Sequence, residues 1–131
     1  MYDRPFTPDN INTLAPNEIF VFGSNLAGSH GGGAARAAYR HFGAVWGQGT
    51  GLQGRSYAIP TMHGGPEAIR RYVDAFIDFA RSNPGLTFLV TRIGCGIAGF
   101  RAADIAPLFA GAIDVPNIIL PRDFVQIIQQ Q

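Results

Sequence analysis

Two kinds of pattern alternate along this chain: short, continuous apolar runs and longer stretches with helical spacing. Ile19-Phe20-Val21-Phe22 is apolar throughout and predicts a fully buried strand over residues 18–22. Ser56-Tyr57-Ala58-Ile59, stopped by Pro60, reads as another. Phe88-Leu89-Val90-Thr91, within 86–93, predicts a central buried strand, and Asn117-Ile118-Ile119-Leu120 the last one. Residues 44–46 make a short strand candidate. Helical segments follow in four places. The Ala-rich 33–41 segment predicts a helix that Gly43 would stop. Pro66 sits at a first helical position, and Ile69, Tyr72, Val73, Phe76 and Ala80 form one face behind it. Arg70, Arg71, Asp74, Asp78 and Arg81 fall mostly on the opposite, solvated face, and Asn83-Pro84-Gly85 ends that helix. Residues 102–112 predict a helix, and 122–131 a short helical tail. The proline-broken segment 1–17 is an extended lead-in, with Asp9-Asn10-Ile11 placed to reach the edge of a site. Strands alternating with helices give a single α/β domain over 1–131, with helices on both faces of the sheet.

Three glycine-rich loops punctuate this pattern. Between the first strand and the first helix lie five glycines, two serines and an asparagine, ending in Gly31-Gly32-Gly33. A strand that breaks into glycine and re-forms as a helix leaves unpaired N–H groups at the positive end of the helix dipole, which is an anion site. The segment Gly94-Cys95-Gly96-Ile97-Ala98-Gly99-Phe100 repeats the arrangement after the 86–93 strand. Ligands of open α/β sheets bind outside the carboxyl ends of the strands, so two such loops would present two sets of amides to a ligand with more than one phosphate. The loop at 47–54 carries four glycines in eight residues and reads as a mobile, ligand-approachable segment. No helix follows it, so it is not a dinucleotide fingerprint.

Composition narrows the chemistry. With 47% hydrophobic and 15% charged residues, 131 residues form a globular domain rather than a disordered tail. A net charge of +1 gives no general attraction to nucleic acid or membrane. All ten basic residues are arginine, which removes lysine catalysis. Cys95 is the only cysteine, excluding an internal disulfide, and the three histidines are too dispersed for a metal site. No leader or membrane-spanning run is visible, so cytoplasmic residence is the default. The chain has no phosphate-binding G-x-x-x-x-G-K-[ST], no G-x-S-x-G and no H-E-x-x-H. These observations describe a phosphate-bearing ligand held by backbone, without cofactor or metal.

Phe22-Gly23-Ser24-Asn25-Leu26 followed by Gly31-Gly32-Gly33-Ala34 resembles the macrodomain signature, and Ile93-Gly94-Cys95-Gly96-Ile97-Ala98-Gly99-Phe100 is similar to the second macrodomain loop. The resemblance covers about three quarters of the chain and implies a three-layer fold with a central mixed sheet, binding ADP-ribose or an ADP-ribosylated macromolecule. It places Asn25 at the distal ribose, and Gly31, Gly32, Gly33 and Ala34 along that ribose and the phosphates. Gly94, Cys95, Gly96, Ile97, Ala98 and Gly99 would supply amides to the diphosphate, with Phe100 against a ribose face. Asp9 or Asn10, before Ile11, resembles the position that reads the adenine amino group. Phe124 is either an adenine-stacking ring or a core aromatic anchoring the tail. The departures from the family bear on catalysis. Ala34, Ala35 and Arg36 stand where one hydrolytic type has an acid, Ala98 stands where another has one, and no lysine exists. The 47–54 loop has no counterpart in the general pattern and would mark a bacterial or phage-type branch. Three functional readings follow: an ADP-ribose reader, an ADP-ribosyl hydrolase using Asn25 and His30, or an enzyme for another nucleotide-sugar phosphate. The competing reading of His30 is a solvent-exposed loop residue. Amides around Cys95 would lower its thiol pKa.

Overall fold

The computed structural model describes residues 1–130; the end of the predicted tail, Gln131, lies outside the described residues. Strands β1 (Glu18–Ser24), β2 (Gly51–Gln53), β3 (Ser56–Pro60), β4 (Thr87–Val90) and β5 (Ile118–Ile119) form one sheet in the order β2-β3-β1-β4-β5. β1 pairs in parallel with β3 on one side and β4 on the other, β5 continues in parallel, and β2 is an antiparallel edge. The helices are α1 (Gly33–His41), α2 (Pro66–Ser82), α3 (Ala102–Ile105) and α4 (Arg122–Gln129).

Strand periodicity divides the core into two layers. Ile19 and Val21 of β1 point to a large cluster with Val73 and Phe76 of α2, Phe88 of β4 and Phe124 of α4. Phe20 and Phe22 point the other way, onto Ala35 and Ala38 of α1. Successive side chains of a strand leave opposite faces, so one apolar run feeds both layers. The result is a three-layer α/β fold with a mixed sheet in the middle. Among the described residues no helix is long and apolar enough to cross a membrane.

From β1 the chain crosses by α1 to β3; from β3 it returns by α2 to β4, on the far side of β1. The loops leaving β1 and β4 therefore diverge, and a crevice opens between them at the topological switch point. The lead-in is tied across the β5 edge. Thr7 N–H donates to Leu120 O (2.9 Å), and Arg4 donates to Ile118 O, Ile113 O and Ala112 O. This covers an otherwise open strand edge and brings residues 9–11 to the crevice.

Three readings of the pattern change. Residues 44–46 form no strand. The 47–54 loop contains β2, so it is part of the sheet rather than a free ligand loop. The 102–112 helix is α-helical only through Ile105 and continues as a 3-10 helix over Ala106–Ala112, because Pro107 has no N–H to extend the α ladder.

Candidate functional site

The crevice between the β1 and β4 loops begins as a cleft of about 150 Å³, walled by Asn25, Gly32, Gly33 and Ala34 on one side and Gly94, Gly96, Ile97 and Ala98 on the other. It opens into a wider hollow of about 550 Å³ bounded by Asp9, Asn10, Ile11, Phe20 and Pro121. Gly33, Ala34, Thr91 and Arg92 border both, which makes them two chambers of one groove. A third hollow, on the side of Cys95 and Phe100, shares Ala34, Thr91 and Arg92.

The groove wall is largely backbone. Gly32 is the N-cap of α1, no side chain caps the helix, and no acid lies in its first turn. The amides of Gly33, Ala34 and Ala35 consequently have no hydrogen-bond acceptor among the described residues, and the helix dipole adds positive potential there. In the second loop, Cys95 N–H donates to Arg92 O, Gly99 N–H to Gly96 O and Phe100 N–H to Gly94 O. Those bonds commit the Cys95 and Gly99 amides, which corrects their expected role as phosphate donors. The amides of Gly96, Ile97 and Ala98 remain without acceptors among the described residues. Gly94 makes this turn possible. Its φ of +75° is left-handed, and a Cβ there would meet Ile105 Cδ1 at 3.0 Å. The second loop does not end in an open helix terminus, however, because Asp104 caps α3 by accepting from Arg101 N–H (3.1 Å). The Arg101 hydrogen bond holds the Asp104 carboxyl below its usual range.

The first loop is braced from within. Asn25 Oδ1 accepts from Ser29 N–H (2.9 Å) while its Nδ2 donates to Ser29 O (3.1 Å), so the side-chain amide pins its own loop at the cleft wall. Leu26 N–H donates to His63 Nε2 at 2.8 Å. Gly28 (φ +70°) lies against the 47–48 backbone, where a Cβ would approach Gln48 N to 2.3 Å. Gly47 N–H donates to Gly28 O, and Ser24 Oγ donates to Gly49 O. The 47–54 loop is thus a buttress beneath the first.

His30 belongs to that buttress, which corrects both of its expected roles. It is 1% exposed, packs edge-on against Phe22, and borders none of the three hollows. Its Nε2 faces Val45 O (2.9 Å), Gln48 O (3.1 Å) and Gln53 Oε1 (3.3 Å), and so carries the ring proton; Nδ1 has no partner among the described residues. A solvent-facing proton carrier is ruled out by this burial. Phe124 is likewise fully buried, 5.8 Å from the Phe109 ring, and cannot stack on a ligand in the groove. Gly31 and Gly99 border none of the three hollows. Cys95 is corrected in sign: burial pushes its thiol up, Asp123 adds to the rise, and Arg92 only partly offsets it.

Sequence reasoning missed Arg92 and Thr91. Thr91 Oγ1 donates to Val21 O (2.7 Å), tying the end of β4 to β1. Arg92, at the waist of the groove, is held by Asp123, with Nε 3.2 Å from Oδ2. An arginine directly between a buried strand and a glycine loop was the available signal. Among the described residues, no carboxylate, imidazole or thiol lines the smaller chamber. Comparison with family models, curated proteins and solved structures finds no match to the chain.

Proposed function

We propose that this chain is a macrodomain-like reader that binds ADP-ribose or an ADP-ribosyl group in the two-chambered groove. The observation that carries the reading is the shared waist. A narrow chamber of uncapped amides meets a wider chamber with polar groups at Asp9 and Asn10, through Gly33, Ala34, Thr91 and Arg92. In this assignment the diphosphate lies over the amides of Gly33–Ala35 and Gly96–Ala98 beside Arg92. The adenosine extends toward Asp9, Asn10 and Ile11, and the distal ribose reaches Asn25. Binding without turnover is the form that the lining favours. The Asn25 amide is engaged with Ser29, His30 is inside the core, and no proton-transfer group borders the smaller chamber among the described residues.

Thermal denaturation with a ligand series tests this. ADP-ribose at about 100 times Kd should stabilise the fold by roughly 2.7 kcal/mol, more than AMP, ribose 5-phosphate or ATP at equal concentration, because it alone fills both chambers. Equal shifts from ATP and ADP-ribose would transfer the site to another nucleotide phosphate. Release of ADP-ribose from carboxylate-, serine-, arginine- or nucleobase-linked substrates would overturn the reader assignment in favour of a hydrolase.

A further inference from the structure

The net charge of +1 conceals a segregation. All nine carboxylate side chains lie outside the segment between Glu18 and Glu67, which carries Arg36, Arg40, Arg55 and the three histidines. That acid-free segment builds the first glycine loop, α1 and β2. Elsewhere the arginines have partners: Arg70, Arg81, Arg92 and Arg101 pair with carboxylates, while Arg4 and Arg55 hold backbone carbonyls. Arg71 and Arg122 lie over aromatic rings. Arg36 and Arg40 alone have no partner among the described residues, and both are exposed.

Arg36, Tyr39 and Arg40 stand at i, i+3 and i+4, one stripe on the outer face of α1. Beside the stripe is Trp46, whose ring centroid is 5.4 Å from that of Tyr39 at an interplanar angle of 71°. The two rings meet edge to face, and both stay open to solvent, at 47% for Tyr39 and 54% for Trp46. Trp46 also reaches the glycine loop, since a Cβ on Gly31 would lie 3.9 Å from its Cη2. The loop carrying Trp46 is anchored from below by the buried His30 and by Gln53, whose Oε1 accepts from Val45 N–H (2.8 Å). An indole is thus held outward against the Tyr39 ring, on the stripe that carries the two unpaired guanidinium groups.

We infer that this face binds single-stranded nucleic acid, with bases against Tyr39 and Trp46 and phosphates at Arg36 and Arg40. Flat π surfaces interleaved with free guanidinium groups suit a strand whose bases are unstacked and whose backbone is anionic. An acidic peptide would satisfy the charge but leave the aromatic pair unused.

Trp46 is the chain's only tryptophan, so its fluorescence reports on this face directly. An oligothymidylate of about eight nucleotides, within one single-strand site, should quench it saturably. Two phosphate contacts give a slope of about −1.4 in log affinity against log salt, roughly a seven-fold loss between about 50 and 200 mM. Tyr39→Ala or Trp46→Ala should weaken a labelled oligonucleotide roughly ten-fold by anisotropy, and Arg40→Glu should reduce the salt slope by about 0.7 or more. Absence of saturable quenching overturns the inference. So does an Arg40→Glu protein with unchanged oligonucleotide affinity, or equal quenching by polyglutamate. ADP-ribose thermal shifts on Arg40→Glu keep the two readings separate. A retained shift with lost oligonucleotide binding places the effect on α1 alone, whereas a wild-type protein that binds the oligonucleotide but not ADP-ribose fails the groove reading and leaves this surface standing.

Discussion

Replacing Gly32 with aspartate should move two measurable quantities in opposite directions. Gly32 is the N-cap of α1, with φ −152° and ψ 164°, extended backbone that any residue adopts. A Cβ there meets only Ile97 Cδ1, at 3.0 Å, the free end of a flexible side chain. Aspartate is among the best N-caps because its carboxylate accepts from the amides two and three residues on, here Ala34 and Ala35. The gain over glycine is a few tenths of a kcal/mol, and the dipole adds about 0.3–1 kcal/mol. At roughly 3–5 °C per kcal/mol for a domain of this size, the free protein should melt about 2–6 °C higher. The same carboxylate occupies the amides that a phosphate would need. Two unit charges about 4 Å apart repel by about 1 kcal/mol in water and about 4 kcal/mol at an effective dielectric of 20. That range corresponds to roughly a five-fold to several-hundred-fold rise in Kd. Scanning fluorimetry with and without ADP-ribose reads both effects. The wild-type shift at about 100 times Kd, worth roughly 2.7 kcal/mol, should shrink in Gly32→Asp. Gly32→Ala, with the Cβ but no charge, should retain most of it. A stabilised Gly32→Asp protein with the full wild-type shift would refute the placement of phosphate on α1. A less stable one would refute the capping argument.

Three further substitutions follow from the same geometry. His30→Ala removes a buried ring and its hydrogen bonds to Val45 O and Gln48 O, and should destabilise the fold by about 2–4 kcal/mol in urea titration; a change under about 0.5 kcal/mol would show that the buttress is dispensable. Arg92→Ala takes the cation from the groove waist and should weaken ADP-ribose about ten-fold by calorimetry, an unchanged Kd placing the diphosphate elsewhere. Cys95, raised by burial from the ordinary 9.0, binds its proton more tightly folded than unfolded. Its contribution to stability is therefore full below pH 9.0 and is lost as pH rises through the higher folded value. Cys95→Ser should flatten the alkaline limb of stability against pH, and an identical limb in both proteins would contradict the burial argument.

The sequence by itself determined the elements whose signals are local. A continuous apolar run made β1, and the spacing of Ile69, Val73, Phe76 and Ala80 made α2. Gly43, at φ +75°, ends α1 where its lack of a Cβ predicts. The uncapped glycine start of α1 was legible too, because the absence of a Ser, Thr, Asp or Asn cap is written in the residues themselves. The second loop was legible as an amide-bearing loop, but which of its amides are free was not, since that depends on which carbonyls turn back to meet them. His30 and the 47–54 segment were beyond local reading altogether. Periodicity and propensity report a residue's own neighbours in the chain, whereas burial of His30 follows from contact with Gln48 and Gln53, brought to it when β2 pairs with β3. Arg92 reached the waist of the groove for the same reason. Only the strand order, which sets β4 beside β1 and sends their loops apart, decided that the two glycine loops face one another across it.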